Sequence, residues 1–240
     1  MSSLPQILHT ISYMGLPLLM AMVFHEYAHG WVAHRFGDPT AKQQGRLTLN
    51  PIAHIDPFGT IILPLMCLLI PGGFFLGWAK PVPVNPTQLH NPRRDMALVA
   101  AAGPGMNLLP AVGSALLLAL LLVLDPTLGD SWPPQPGSLP RRDLLGMVLL
   151  PIAAMALYSV FINILLMAFN LIPIPPLDGG RVLTSILPAR WAMSLARVEP
   201  YGMLIIVLLI MLDPQIHFIS TITGSLVTFM AGTLISTVSS

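Results

Sequence analysis

An uncharged run near the start of the chain ends in three ionisable side chains. Residues 11–24 carry no charge, and the next five positions contain His25, Glu26 and His29. One ionisable group at bilayer depth costs roughly 2.5–3.5 kcal/mol on insertion scales, so three together require a compensating partner. Because a metal ion is such a partner, this stretch favours a metal site buried inside an apolar fold.

The three side chains form the pattern His-Glu-x-x-His. Residues four apart lie on one face of a helix, so the imidazoles of His25 and His29 can share one metal ion, usually zinc. Glu26 lies about 100° around the helix from His25, where its carboxylate can take a proton from a metal-bound water. The spacing predicts a hydrolytic zinc site with two histidine ligands and Glu26 as the general base.

The rest of the sequence is too apolar for a water-soluble domain. Hydrophobic residues make up 54% of the 240 residues, charged residues make up 9%, and the mean hydropathy is +0.75. Soluble domains carry about 25% charged residues. We therefore predict an all-α polytopic membrane protein. A net charge of +1 without a long basic run argues against a nucleic-acid partner, and the single Cys67 excludes a cysteine-based zinc site.

Apolar runs separated by polar breaks predict a helical bundle with four or five membrane crossings. The runs cover about residues 6–36, 96–124, 144–172, 203–212 and 216–235. The last two runs form either a hairpin of two short crossings, which we favour, or one crossing with an interfacial piece. All of them belong to a single domain over residues 1–240, with a core at about 6–181 and C-terminal helices at about 199–237.

The region between the first two crossings predicts a small re-entrant element with an extended, β-like part. Residues 60–70 are apolar but number only eleven, whereas a spanning helix needs about 20. The stretch from Gly77 to Val84 is rich in proline and alternates in character, which is typical of an extended edge. We expect this element to dip into the membrane and return to the same side.

The distribution of basic residues supports this topology. With a re-entrant element, nine of the eleven basic residues share one side of the membrane, and Arg141 and Arg142 lie on the other. If residues 60–70 crossed the membrane, the split would be five to six. Cytoplasmic loops favour Lys and Arg. We therefore expect a multi-pass protein of the cell membrane, with its N-terminus outside and its active site nearer the cytosolic face.

A third metal ligand is expected on the cytosolic side, because catalytic zinc takes three protein ligands and one water. The acidic and histidine candidates there are Asp38, His54, Asp56, His90, Asp95 and Asp178. Asp178 is favoured because Pro173, Pro175 and Pro176 break the preceding helix. Broken backbone at membrane depth survives only inside protein or beside a wet cavity. Asp56 remains the second candidate.

These motifs together resemble the site-2 proteases, a family of intramembrane zinc metalloproteases. The stretch His25-Glu26-Tyr27-Ala28-His29 is similar to the catalytic motif of the family, and Leu177-Asp178-Gly179 is similar to its second motif. Ala102-Gly103-Pro104 with Asn107 resembles its central segment. Members with an inserted peptide-binding domain need room that this chain lacks, so the resemblance is to the compact branch.

The resemblance implies one Zn²⁺ per chain, with Asp178 as the third ligand and Glu26 as the general base. It also implies regulated intramembrane proteolysis, in which single-span or other membrane proteins are cut within or near their transmembrane segments in the lipid bilayer. Asn107 is a candidate donor to the oxyanion, and a polar pin between helices is an equal alternative. A membrane metal-ion transporter that uses the same His and Asp residues, or a non-cleaving homologue, remains an alternative function.

Overall fold

A computed structural model describes residues 4–63, 65–66, 77–131 and 144–217, together with residues 221, 224–225, 229–230 and 233. This part of the chain is mostly helical and contains no β-strand, so the helical prediction is confirmed for it. The helices are α1 (Leu4–Arg35), α2 (Pro92–Leu124), α3 (Leu144–Asn170), α4 (Asp178–Ile186), α5 (Ala189–Ala196) and α6 (Glu199–Ile216). Short helical turns lie at Thr40–Gln43, Pro51–His54, Pro57–Ile62, Pro86–Gln88 and Pro126–Ser131.

Helix α1 carries the histidine motif and ends where the sequence predicts. It continues through Pro17 and closes beside Gly37, whose φ is +103°. That conformation is accessible to glycine and strained for other residues. A side chain at Gly37 would also lie 2.7 Å from Nε2 of His90. The chain therefore turns away from α1 two residues after Arg35.

Helix α2 is the centre of the bundle, because it packs against α1, α3 and α4. Its contact with α3 is made by the small residues Ala111 and Ala115, which pack against Val160 and Ile164. Small side chains let membrane helices approach closely. Because α1 and α3 also contact each other, the three long helices pack mutually.

Two helices in the described part of the chain are long and apolar enough to cross a membrane: Pro92–Leu124 and Met147–Asn170. They correspond to the second and third crossings that the sequence predicts. A third crossing results if Ala189–Ala196 and Glu199–Leu209, which are bent by 64°, form one broken span. The protein is therefore a membrane protein, and its total of four or five crossings stays a prediction.

The β-like element between the first two crossings is not supported. Residues 77–85 run without helix, but they form no strand within the described chain. Pro81 and Pro83 have no N–H, so they cannot contribute donors to a ladder. The backbone hydrogen bonds of this stretch instead reach separate loop residues, such as Gly59 and His54. The predicted re-entrant turn falls largely on residues 64 and 67–76, which lie outside the described residues.

Candidate metal centre and active site

Three side chains from two distant parts of the chain converge at the centre of the bundle. His25 and His29 project from one face of α1, with their Nε2 atoms 3.1 Å apart. Oδ2 of Asp178, the first residue of α4, lies 3.0 Å from Nε2 of His25 and 3.3 Å from Nε2 of His29. All three residues are buried. The structure thus brings together the two predicted histidine ligands and the favoured third ligand.

His25 is oriented by a chain of amides that crosses the bundle. Its Nδ1 lies 2.7 Å from Oδ1 of Asn107 on α2. The Nδ2 group of Asn107 donates to Oδ1 of Asn163 on α3 at 3.1 Å and faces the carbonyl of Ala21 at 3.4 Å. Nδ2 of Asn163 in turn donates to the Ser159 carbonyl at 2.8 Å. Because these contacts occupy the amide hydrogens of Asn107, its oxygen accepts the proton that Nδ1 of His25 carries.

His29 is oriented by the backbone of α2. Its Nδ1 lies 2.7 Å from the carbonyl oxygen of Val99, which can only accept a hydrogen bond. This close approach depends on Gly103, one turn further along α2. A Cβ atom at Gly103 would overlap the ring of His29 and lie 2.7 Å from Cε1 of His25. A glycine at this position therefore lets α2 pack directly against both imidazoles.

Asp178 is positioned by the proline-broken segment between α3 and α4. Helix α3 ends at Asn170, and α4 begins at Asp178. Gly179 and Gly180 pack against the backbone of this segment so closely that a Cβ on either would overlap Leu171 or Pro175. Gly202 of α6 makes a similar contact with Pro175. The predicted break between α3 and α4 is present. Glycines in α4 and α6 let these helices pack closely against the backbone of the broken segment.

The three converging atoms are suitable ligands for a cation. Because Nδ1 of each histidine faces an oxygen acceptor, the Nε2 atoms of His25 and His29 are left as lone-pair donors. Oδ2 of Asp178 is buried and has no hydrogen-bond partner in the described chain. Three electron-rich atoms within 3.3 Å of one another are unfavourable unless a positive charge lies among them. Two imidazole nitrogens and one carboxylate oxygen match a catalytic zinc site.

The other candidates for the third ligand have different contacts. No second cluster of metal-binding side chains occurs in the part of the chain that the structure describes. Asp56, the second candidate, caps the turn Pro57–Ile62 by accepting from the Gly59 N–H at 2.7 Å. Three of the remaining candidates form hydrogen bonds with backbone groups: Asp38, His54 and Asp95. The fourth, His90, is exposed.

Glu26 lies beside the three converging side chains. A cavity of about 410 Å³ is lined by Glu26, both histidines and Asp178, and also by residues of the 77–84 stretch and of α6. Oε2 of Glu26 accepts a hydrogen bond from the N–H of Val82 at 2.7 Å. No partner for Oε1 occurs among the described residues. One oxygen of the predicted base is therefore fixed, and the other is free.

Sequence reasoning missed four groups that organise this site: the Val99 carbonyl, the close contact of Gly103, the Asn163 amide and the Val82 N–H. A signal existed for Asn163, because an amide inside an apolar helix needs a partner. Gly103 and Asn107 are four residues apart and so share one face of α2. The two backbone groups carry no signature in the sequence.

The chain is similar to known proteins over most of its length. Residues 13–212 match the family model described as Peptidase family M50. YwhC of Bacillus subtilis, by its name a candidate zinc metalloprotease, is 37% identical over 207 residues, covering 84% of this chain and 81% of the relative. Rip2 of Mycolicibacterium smegmatis, which has the same description, is 31% identical over 208 residues, covering 83% of this chain and 69% of the relative. No solved structure matches the chain.

Proposed function

Because the chain belongs to peptidase family M50 and is a zinc metalloprotease, we propose that it cleaves membrane proteins within or near their transmembrane segments. One observation supports this most: both histidines contact the middle of α2, a helix apolar enough to span a membrane. Gly103 lies eleven residues after Pro92, about 16 Å along the helix. A peptide bond that reaches these side chains must therefore enter the bundle at depth.

We assign His25, His29 and Asp178 as the ligands of one Zn²⁺ per chain. When bound there, zinc supplies a Lewis acid that activates water and polarises the scissile carbonyl. The contacts of His25 with Asn107 and of His29 with Val99 hold both rings with Nε2 turned inward. Such outer contacts fix the tautomer of a metal-binding histidine and raise its basicity.

Glu26 is assigned as the general base. It follows His25 directly and lines the same cavity, and Oε1 has no hydrogen-bond partner in the described chain. In this scheme Glu26 takes the proton from the attacking water and delivers it to the nitrogen of the leaving amine as the peptide bond breaks. Each proton that Glu26 accepts is thus released with the product.

The contacts of Asn107 favour the role of a polar pin between helices over that of a donor to the oxyanion. Its side chain is fully buried, its oxygen accepts from His25, and its amide hydrogens face Asn163 and Ala21. A donor to an oxyanion needs a hydrogen directed at the reacting carbonyl. We therefore propose that Asn107 positions His25 and does not donate to the oxyanion.

Residues 77–85, which we term the strip, offer an edge for an unwound substrate. The backbone groups of Trp78 and Lys80 are bonded to neighbouring loops. Ala79 lines the cavity, and its N–H and C=O have no partner among the described residues. Extended peptides add to such free edges through backbone hydrogen bonds. A substrate helix hides its own N–H and C=O groups, so we expect it to unwind locally before it pairs with Ala79.

Substrates are expected to be single-span or other membrane proteins in the lipid bilayer. The nine-to-two split of basic residues supports a cell-membrane protein whose N-terminus is outside and whose active site is nearer the cytosolic face. Proteolysis by such a site releases parts of membrane proteins, which is the basis of regulated intramembrane proteolysis. No nucleic-acid partner is expected.

The replacement Glu26→Gln tests this function. Purified wild-type and variant protein in detergent are given a single-span test substrate, and cleavage and zinc content are measured together. We expect the variant to keep one zinc per chain and to lose cleavage by at least about 10³-fold, because an amide cannot accept the proton. Full cleavage by the variant would refute the assignment of the base.

The same experiment separates the alternative functions. A metal-ion transporter that uses His25, His29 and Asp178 would move zinc across liposomes and leave the test substrate uncut. A non-cleaving homologue would bind the substrate without cutting it, in both the wild-type and the variant form. The proposed function requires cleavage by the wild type that depends on Glu26, and neither alternative gives Glu26 a specific task.

A further inference from the structure

The proposed base is joined to the strip by one hydrogen bond. The N–H of Val82 donates to Oε2 of Glu26 at 2.7 Å, although the two residues are 56 positions apart in the chain. A hydrogen bond from a backbone N–H to a carboxylate is charge-assisted, and it is stronger than one between neutral groups. The side chain that would move protons is therefore restrained by a second element that lines the same cavity.

The N–H of Val82 is the only donor that its part of the strip can offer. Pro81 and Pro83 stand on either side and have no N–H. A residue that precedes proline is also driven to extended conformations, so Pro83 restricts the backbone of Val82. The sequence Pro81-Val82-Pro83 thus presents a single backbone N–H in a restricted conformation. The carboxylate of Glu26 accepts a hydrogen bond from it.

The strip is held firmly on both sides of Val82. The N–H of Lys80 donates to the carbonyl of His54 at 2.9 Å, and Nη2 of the buried Arg46 donates to the carbonyl of Lys80 at 2.7 Å. On the other side, the N–H of Asn85 donates to Oδ2 of the buried Asp38 at 2.6 Å. The Val82 donor is consequently fixed before a substrate arrives.

Val82 also packs on the helix that carries the base. A Cβ at Gly30, four residues after Glu26 on the same face of α1, would lie 2.9 Å from Cγ1 of Val82. The side chain of Val82 is buried by this contact. Its backbone therefore sits over Glu26 and its side chain over Gly30, which sets the distance between the strip and α1.

We propose that the backbone amide of Val82 is a positioning group for catalysis: it holds Oε2 of Glu26, so that Oε1 takes the proton from the attacking water. The inference rests on the proposed role of Glu26 and adds to it. A free carboxylate rotates about its side-chain bonds and is in the productive orientation for part of the time only. The Val82 N–H removes that freedom without contacting the substrate.

Three variants of the full-length protein test this role, with cleavage of the single-span substrate measured over a range of substrate concentrations. Val82→Pro removes the N–H, whereas Val82→Ala loses side-chain packing on Gly30 but keeps the N–H. Glu26→Gln is the third variant and gives the kcat of a form without the proposed base. We expect Val82→Pro to lower kcat by about 10- to 100-fold, with KM and zinc content unchanged.

The decisive comparison is between the two Val82 variants, because both lose side-chain packing and only one loses the N–H: the kcat of Val82→Pro should lie about 10- to 100-fold below that of Val82→Ala. If Val82→Pro does not fold, a backbone ester at residue 82, made by incorporating the α-hydroxy acid, removes only the N–H and must give the same fall in kcat. An unchanged or raised kcat in either N–H-deleted form would overturn the proposal, as would equal losses in Val82→Ala. Glu26→Gln serves as the reference: if it is inactive while Val82→Pro is normal, the inference fails and the proposed function stands.

Discussion

The two walls of the cavity are built in different ways. The metal wall consists of His25, His29 and Asp178, three helix-borne side chains that are brought together by close packing against α2 and the proline-broken segment. The strip wall, residues 77–85, contains no regular structure in the described chain and is held by single hydrogen bonds to separate loops and to Glu26 of α1.

This difference separates two kinds of control over one reaction. On the metal wall, side chains carry the chemistry, and small residues such as Gly103 decide whether those side chains can meet. On the strip wall, the backbone carries the interactions, and the side chains of Ala79 and Val82 mainly fill space. Changes in the metal wall should therefore alter zinc binding, whereas changes in the strip should alter catalysis or substrate binding at constant zinc content.

The largest effect is expected from Gly103→Ala. A methyl group at this position would overlap the ring of His29, so α2 or the histidines must move apart. We expect zinc affinity to fall by at least about 100-fold and cleavage to fall with it, since displaced outer contacts alone cost 10- to 100-fold. Zinc content and cleavage are measured on the same preparation.

Gly105→Ala is the matched control, because nothing lies within 4 Å of a Cβ at Gly105 on the same helix. It should bind zinc and cleave like the wild type. Equal behaviour of the two variants would show that close packing against the histidines does not govern the metal wall.

A smaller effect is expected from Asn107→Ala. This change removes the acceptor of the His25 Nδ1 hydrogen and leaves the Asn163 oxygen without its donor. We expect zinc affinity to fall by about 10- to 100-fold, as for other outer contacts of metal-binding histidines. Ser114→Ala, which breaks a different hydrogen bond between α2 and α3, is the control and should leave zinc affinity unchanged.

The smallest effect is expected from Ala79→Pro, which removes the N–H on the free edge of the strip. The loss of one neutral hydrogen bond to substrate, worth about 0.5–1.5 kcal/mol, should raise KM by about 2- to 12-fold. Zinc content and kcat should not change. Ala79→Ser keeps the N–H and should behave as the wild type; a loss of zinc in Ala79→Pro would mean that the two walls are not separable.

The sequence predicts the metal wall well because its ligands depend on local rules. Two histidines four apart on a helix must share a face, and three prolines must interrupt α3 before Asp178. The sequence favours Asp178 and keeps Asp56 as the second candidate, and the fold separates the two because only Asp178 approaches both histidines. In retrospect, an Asp directly before Pro57 fits a helix cap, and Asp56 does cap that turn.

The strip is less predictable because its structure depends on partners. Prolines at positions 81 and 83 correctly indicate a non-helical backbone, but a β-strand also needs a neighbour with free donors and acceptors. Here the neighbours are single groups on separate elements, such as the carbonyl of His54 in a short turn and the carboxylate of Glu26 on α1. Backbone contacts of this kind leave no mark in the amino-acid sequence.

The most direct test of the metal wall is the zinc content of Asp178→Asn compared with Asp56→Asn, measured by elemental analysis of the purified proteins. An amide oxygen is a much poorer zinc ligand than a carboxylate, so we predict that Asp178→Asn retains less than about a tenth of a zinc per chain. The wild type and Asp56→Asn should each retain one. A full zinc in Asp178→Asn, or its loss from Asp56→Asn alone, would contradict the assignment of the three ligands.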